Sequence, residues 1–200
     1  IAVSDDIKDY YKENMNLNPI LIYNPSFNLK SNFISKFNPL NKKKINIIQV
    51  GSFINIKNHI ELLKCLKLSL CEFCRHNDVS FTFIGSGPLK NKLRDFVIKN
   101  KIDDLVTFVG LVDDIGDFYY NSDFLISSSK LEGLPTVIIE SLSYSKPVIS
   151  TFQKSAYEIM SKNLNDYKKD KDNIKNNFLV LDTGIMYQQG NIEQLSNSII

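Results

Sequence analysis

Between residues 45 and 150 the chain alternates short runs rich in Val, Ile and Phe with longer amphipathic stretches, an order that few folds accept. Apolar runs fall at 45–50, 79–84, 106–109, 123–127 and 147–150, and helical spacing occupies 58–74, 88–100, 113–120 and 135–144. Near-continuous apolar strands are buried on both faces, and helices between them cover those faces. The fold class expected is therefore α/β, with a doubly wound parallel sheet. Such sheets bind ligands at the carboxyl ends of their strands. Beyond residue 155 the pattern weakens: polar 163–177 reads as a surface loop, 177–181 as a final strand, and Asn191 onward as a helix start. No internal repeat is visible. At 200 residues, 43% hydrophobic and 23% charged, the chain can bury the core of one ordinary domain.

The most chemically specific stretch lies where a strand passes into a helix. Asp123-Phe124-Leu125-Ile126-Ser127-Ser128-Ser129 is a short apolar run that ends in small polar residues, as a buried strand does on entering a loop. Pro135 suits the first helical position, and Val137, Ile138, Ser141, Leu142 and Ser145 recur at helical spacing. Gly133 lets bare backbone approach a ligand. A helix start presents unpaired N–H groups and a positive dipole end, which favour an anion such as phosphate. Glu132 then falls in the turn, and Glu140 stands roughly 7 to 8 Å further along the helix axis. Two carboxylates so separated can grip hydroxyls at both ends of an elongated ligand with a phosphate between them. A sugar nucleotide has that shape.

Glu132 and Glu140, in Leu131-Glu132-Gly133-Leu134-Pro135-Thr136-Val137-Ile138-Ile139-Glu140, resemble the Glu-x7-Glu donor motif of the retaining GT-B glycosyltransferases of family 4, the group 1 transferases. Other pieces follow in that family's order. Val50-Gly51-Ser52 with Lys57-Asn58-His59 is similar to its Gly-Arg-Leu…Lys-Gly/Asn segment, and Gly85-Ser86-Gly87-Pro88 to its Gly-x-Gly-Pro turn. Val106-Thr107-Phe108-Val109-Gly110 and Ser145-Lys146-Pro147-Val148 resemble its Val-x-Phe-x-Gly and Gly-x-Pro-Val strands. The likeness runs from about residue 20 to 155. Each glycine motif is weak alone; together and in order they are strong. The resemblance implies the C-terminal half of a GT-B fold, a Rossmann-like nucleotide-sugar-binding domain over 21–200. Residues 1–20 then read as the end of an N-terminal domain or the crossover from it, and the chain as a fragment without its acceptor-binding half. Weak donor binding and little or no transfer are expected of it alone.

The same resemblance implies transfer of a sugar from a nucleoside-diphosphate donor to an acceptor hydroxyl, with retention and without an enzyme nucleophile, in surface polysaccharide or glycoconjugate assembly. Glu132 and Lys57 would be the catalytic pair, the one orienting the donor sugar and the other meeting the diphosphate. Glu140 would accept bonds from the ribose hydroxyls, and Gly133, Leu134, Pro135 and Thr136 would lie beside sugar and phosphate. Gly51, Ser52, Gly85, Ser86 and Gly87 would contact the nucleotide, while Leu111 and Val112 would meet the base through backbone, so their side chains do not name it. No metal or other cofactor is implied, because protein groups neutralise the diphosphate. The acceptor, a sugar, a lipid-linked saccharide or another, would bind the missing N-terminal domain. Ser52 departs from the family's usual Arg and forgoes a charge-assisted bond worth roughly 1.5 to 3 kcal/mol. Lys90 and Arg94 are placed to approach the same cleft, and their spacing suits a solvated face equally well. Two alternatives stay open: a binding-only nucleotide-sugar module, and an epimerase or phosphorylase on the same fold.

A net charge of +2 with both signs interspersed gives no basic footprint for nucleic acid. No run approaches the 18 or more apolar residues of a membrane span. Lys42-Lys43-Lys44 and Lys168-Lys169-Asp170-Lys171-Asp172 read as solvated loops, with an anionic membrane surface as the alternative partner. Three cysteines argue against a disulfide framework and for a reducing cytosol. The expected location is cytoplasmic, with the inner membrane face as a place for peripheral association of the full protein. Cys71-x2-Cys74, with Cys65 and His76 nearby, superficially suggests zinc, yet buried apolar cysteines on one amphipathic helix explain it better. His59 reads as a packed or surface helix residue rather than a catalytic base.

Overall fold

The computed structural model describes residues 1–24 and 44–200. Its strands are β1 (Ile45–Val50), β2 (Val79–Ile84), β3 (Val106–Gly110), β4 (Phe124–Ser127), β5 (Val148–Thr151), β6 (Leu179–Leu181) and β7 (Gly184–Tyr187). Among the described residues these form one sheet in the order β3-β2-β1-β4-β5-β7-β6. The pairings are parallel except that of β6 with β7. The expected doubly wound sheet is present.

Period-2 alternation divides the central strands between two apolar layers. Ile47, Phe81, Phe83, Ile126 and Ile149 face one side. There they meet α2 (His59–Cys65), the π-helical turn Leu66–Leu70, α3 (Cys71–His76), α4 (Lys90–Lys99) and α9 (Ile192–Ile199). Ile48, Ile84, Leu125, Val148 and Met186 face the other side. That layer is covered by α5 (Gly116–Asn121), α6 (Thr136–Ser143) and α7 (Lys154–Met160), through Tyr119, Ile138, Ala156, Tyr157 and Met160. The central strands β1, β2, β4, β5 and β7 thus donate side chains to two cores, which fixes their register, whereas the edge strands β3 and β6 each serve one.

Several expectations are corrected. Residues 163–177 are largely helical, with a 3-10 turn at Leu164–Asp166 and α8 at Tyr167–Asn173, so Lys168 to Asp172 lie on an exposed helix rather than in a loop. Tyr167 stacks on Phe152 at 5.5 Å and meets Tyr157 at 5.3 Å, Ile174 is buried, and Tyr157 Oη donates to Asp170 at 2.8 Å. Those anchors order a segment whose composition alone favours solvent. The strand expected at 177–181 is not the final one, because β7 follows and inserts between β5 and β6. Helix α7 was not anticipated. Pro135 occupies the cap before α6, with ψ 90°, rather than the first helical position. Lys42 and Lys43 lie outside the described residues, and Lys44 is exposed.

The expected interdomain segment carries a helix of its own, α1 (Asp5–Met15), capped by Ser4, whose Oγ accepts from Ile7 N at 3.3 Å. Ala2 bridges Leu21, so the ends of this segment meet. The Glu158 carboxylate on α7 accepts from the amides of Asp5 and Asp6 at 3.0 Å each, which places an anion on the positive end of α1. Lys154 pairs with Asp9 one turn further on. Among the described residues no helix is long and apolar enough to cross a membrane.

Candidate functional site

Strand order reverses between β1 and β4, so the loops leaving their carboxyl ends diverge and open a crevice. The two loops are stitched at their base. Gln49 Nε2 donates to Ser128 Oγ at 2.6 Å, that hydroxyl lies 3.2 Å from the Lys57 carbonyl and 3.1 Å from that of Asn58, and Lys130 N donates to Ile56 O at 2.8 Å. Above this base Lys57 Nζ meets Glu132 Oε1 at 2.5 Å. The backbone of Glu132 is held as well, since the buried Ser155 donates from Oγ to Glu132 O at 3.0 Å.

Three strand ends come together beside this pair. Gly51 N donates to Ile84 O at 3.0 Å and Gly85 N to Gly110 O at 2.8 Å. A Cβ on Gly85 would stand 2.1 Å from Gly51 O, so only glycine permits the approach. The Lys57 methylenes lie over Gly51, with Cδ 3.5 Å from where its Cβ would be. A cleft of about 220 Å³ follows, lined by Val50, Gly51, Ser52, Ile84, Gly85, Ser86, Gly110, Leu111, Val112 and Ile115. That is smaller than a usual ligand pocket of about 300–1,000 Å³.

Of the residues named from sequence, Gly51, Ser52, Gly85, Ser86, Leu111 and Val112 line this cleft, and Lys57 and Glu132 join over its Gly51 wall. Gly87 does not line it. A Cβ there would meet the Phe53 backbone at 2.7 to 2.9 Å, so this glycine serves a loop-to-loop contact. Leu134 and Pro135 are buried, and Gly133 turns its Cβ direction toward Val3 at 3.6 Å. Thr136 opens α6, where the first amides lack intrahelical acceptors and the dipole is positive. Glu140, further along α6, accepts from Tyr119 Oη at 2.7 Å. Tyr119 sits on α5, just after the cleft residue Ile115.

Lys90 reaches the cleft wall, with Nζ 3.9 Å from where a Gly110 Cβ would stand, whereas Arg94 is exposed on α4. Asn58 precedes α2 in a left-handed conformation without a side-chain cap; its amide donates instead to Glu61, whose other oxygen accepts from Gly190 N at 3.2 Å. Burial first, opposed by those bonds, raises the Glu61 carboxyl above its ordinary range. His59 is buried edge-on to Phe53 at 4.9 Å and Phe83 at 5.8 Å, and burial lowers its pKa to about 4. It is a core residue. Burial pushes the Cys65 and Cys74 thiols up to about 12, as the apolar reading of that helix requires. Among the described residues no group of three or more His, Cys, Asp or Glu side chains is arranged to hold a metal ion.

Sequence reasoning passed over Tyr119, Ser128 and Ser155. Each acts through a partner at least 21 residues away, and no local pattern marks such a contact.

Residues 30–200 match the family model for glycosyl transferases group 1. The chain belongs to that family. It is 30% identical over 176 residues to an uncharacterized glycosyltransferase of Methanocaldococcus jannaschii, covering 86% of this chain and 45% of that protein. It is 31% identical over 140 residues to the capsular polysaccharide biosynthesis glycosyltransferase CapH of Staphylococcus aureus, covering 68% of this chain and 38% of that one. Among solved structures a S. aureus TarM mutant in complex with fondaparinux, alpha-GlcNAc-glycerol and UDP superposes with a TM-score of 0.74 at 16% identity, over 99% of this chain and 35% of that one. The group 1 domain thus spans less than half the length of these relatives.

Proposed function

We propose that this domain is the donor-binding part of a retaining glycosyltransferase that moves a sugar from a nucleoside-diphosphate sugar to an acceptor hydroxyl in surface polysaccharide or glycoconjugate synthesis. The observation that carries the proposal is the Lys57–Glu132 pair at the strand-order reversal, in a chain of the group 1 family. The nucleoside enters the cleft past Gly51, Gly85 and Gly110, its ribose reaches Glu140, and the diphosphate lies between Lys57 and the start of α6. That anion competes with Glu132 for the Lys57 ammonium, and the released carboxylate turns to the donor sugar hydroxyls. When the anomeric carbon–oxygen bond breaks, its electron pair stays with the leaving diphosphate, the acceptor oxygen bonds to that carbon from the same face, and the acceptor's proton passes to the departing phosphate oxygen. Lys57 and the helix dipole then oppose charge that grows only toward the transition state. No metal is required in this scheme, and chelator should leave the rate unchanged. The acceptor binds the part of the protein outside this domain, and the whole works in the cytoplasm, with the inner membrane face as a place for peripheral association.

Ser52 favours a second reading, a module that binds nucleotide sugars without transferring them. Lys90, at the Gly110 wall, is a cation placed to stand in for the family's Arg. Transfer measured in the protein carrying this domain, with Glu132→Ala as control, separates the two. Loss of transfer in the variant is expected; transfer indifferent to Glu132 refutes the site, and no transfer with any donor favours the binding module. A thermal-shift panel of UDP, GDP and ADP with their sugars identifies the base, since a ligand at 100 times its Kd adds about 2.7 kcal/mol.

A further inference from the structure

Glu140 is held by a neighbour that no motif names. Tyr119 is fully buried on α5, and its ring stacks on Tyr144 with centroids 5.6 Å apart and planes 15° apart. Its hydroxyl lies 2.7 Å from Glu140 Oε2 and 3.4 Å from the Val137 carbonyl. A phenol has one proton to donate, and the short distance to an ionised acceptor assigns it to the carboxylate. Burial, then the Glu140 charge, drives Tyr119 ionisation far above the ordinary phenol range, so this donor keeps its proton.

The stack is itself fixed. A Cβ on Gly116, where α5 begins, would stand 2.6 Å from Tyr144 Oη, so the Tyr144 side chain lies directly against the start of α5. A glutamate on an open helix face samples many rotamers. One whose Oε2 is tied to a rigid phenol keeps a single orientation, with Oε1 as the oxygen left for a ligand. The next residues toward the cleft, back along α5, lead to Ile115 in its wall.

We propose that Tyr119 is a positioning residue that holds Glu140 so that its second carboxylate oxygen accepts the ribose hydroxyls of the donor. The inference rests on the reading of Glu140 as the ribose ligand. Its role is to pre-orient an acceptor, so its effect appears in discrimination between ribose and deoxyribose.

Calorimetric Kd values for UDP, GDP and ADP and their 2′,3′-dideoxy counterparts, on the wild type, Tyr119→Phe, Glu140→Gln and the double variant, provide the test. The wild type should prefer the ribose form of whichever nucleotide binds best by about tenfold, the scale of one charge-assisted bond. Tyr119→Phe should cut that preference to about threefold or less without weakening the dideoxy form, and in the Glu140→Gln background it should change nothing. Equal weakening of both forms, or an intact preference, overturns the role of Tyr119 and leaves Glu140 standing. A wild type that binds none of these nucleotides, or binds both forms alike, overturns the ribose reading of Glu140 and this proposal with it. Glu140→Asp covers the case in which Tyr119→Phe does not fold: it keeps the charge but falls one methylene short of the phenol, and a retained preference there refutes the inference.

Discussion

Lys57 Nζ and Glu132 Oε1 stand 2.5 Å apart, joining the loop after β1 to the loop after β4. Their side chains are 24% and 13% exposed, so salt screens the pair less than an open surface one. In the proposed donor-binding role each is also the other's competitor for the donor. Lys57→Ala should weaken nucleoside-diphosphate binding by about 10- to 100-fold, the loss of a charged hydrogen-bond donor. Glu132→Gln, which frees the ammonium, should bind the diphosphate at least as tightly while transfer collapses. Calorimetry on both variants decides it, and undiminished affinity in Lys57→Ala removes the diphosphate from this place.

Two glycines separate steric need from backbone strain. Gly85 and Gly190 both have positive φ, +146° and +83°, but a Cβ on Gly85 would collide with Gly51 O whereas nothing lies within 4 Å of one on Gly190. Gly190→Ala should cost about 1 kcal/mol, the left-handed penalty alone. Gly85→Ala must also push β2 from β1 and should cost more than about 2 kcal/mol. Urea midpoints of the two variants test this, and equal costs would show that the strand ends yield easily.

Acid should destabilise the domain through His59. Its folded pKa of about 4 lies below the ordinary 6.5, so the unfolded chain binds the proton first. The term is absent above pH 6.5 and grows as pH falls toward 4, reaching about 3 kcal/mol. Glu61, Asp6 and Glu158, raised chiefly by burial, act in the opposite sense because the folded state holds their protons longer. His59→Phe, which keeps an aromatic ring between Phe53 and Phe83, isolates the term. Between pH 7.5 and 4.5 its stability should fall less than that of the wild type; parallel curves would show that His59 titrates freely.

The thiols should react unequally. Cys65 and Cys74 are buried and pushed up to about 12, so little thiolate forms near pH 8. Cys71, on the same helical stretch, is half-exposed. A chromogenic disulfide reagent should modify one thiol promptly in the native protein and all three in urea. Rapid reaction of a second native thiol would contradict the packed helix.

Much of this arrangement was legible in the sequence because the causes are local. Apolar runs place β1, β2 and β4 within a residue of where they stand, and glycine at 51, 85 and 110 marks strand ends with positive φ, where at Gly85 no Cβ fits. The spacing of Glu132 and Glu140 about a helix start suggested a phosphate flanked by hydroxyls, an expectation to which only the family resemblance added Lys57. Other features answer to contacts made at a distance. Residues 163–177 look like solvated chain until Tyr167 finds Phe152 and Tyr157. Insertion of β7 between β5 and β6, the Lys57–Glu132 contact and the tie of Tyr119 to Glu140 all depend on which strands lie side by side. Backbone preference and burial period act over a few residues and are written along the chain. Which distant side chains share a crevice is set by the folding of all the strands at once, and only the tertiary structure records it.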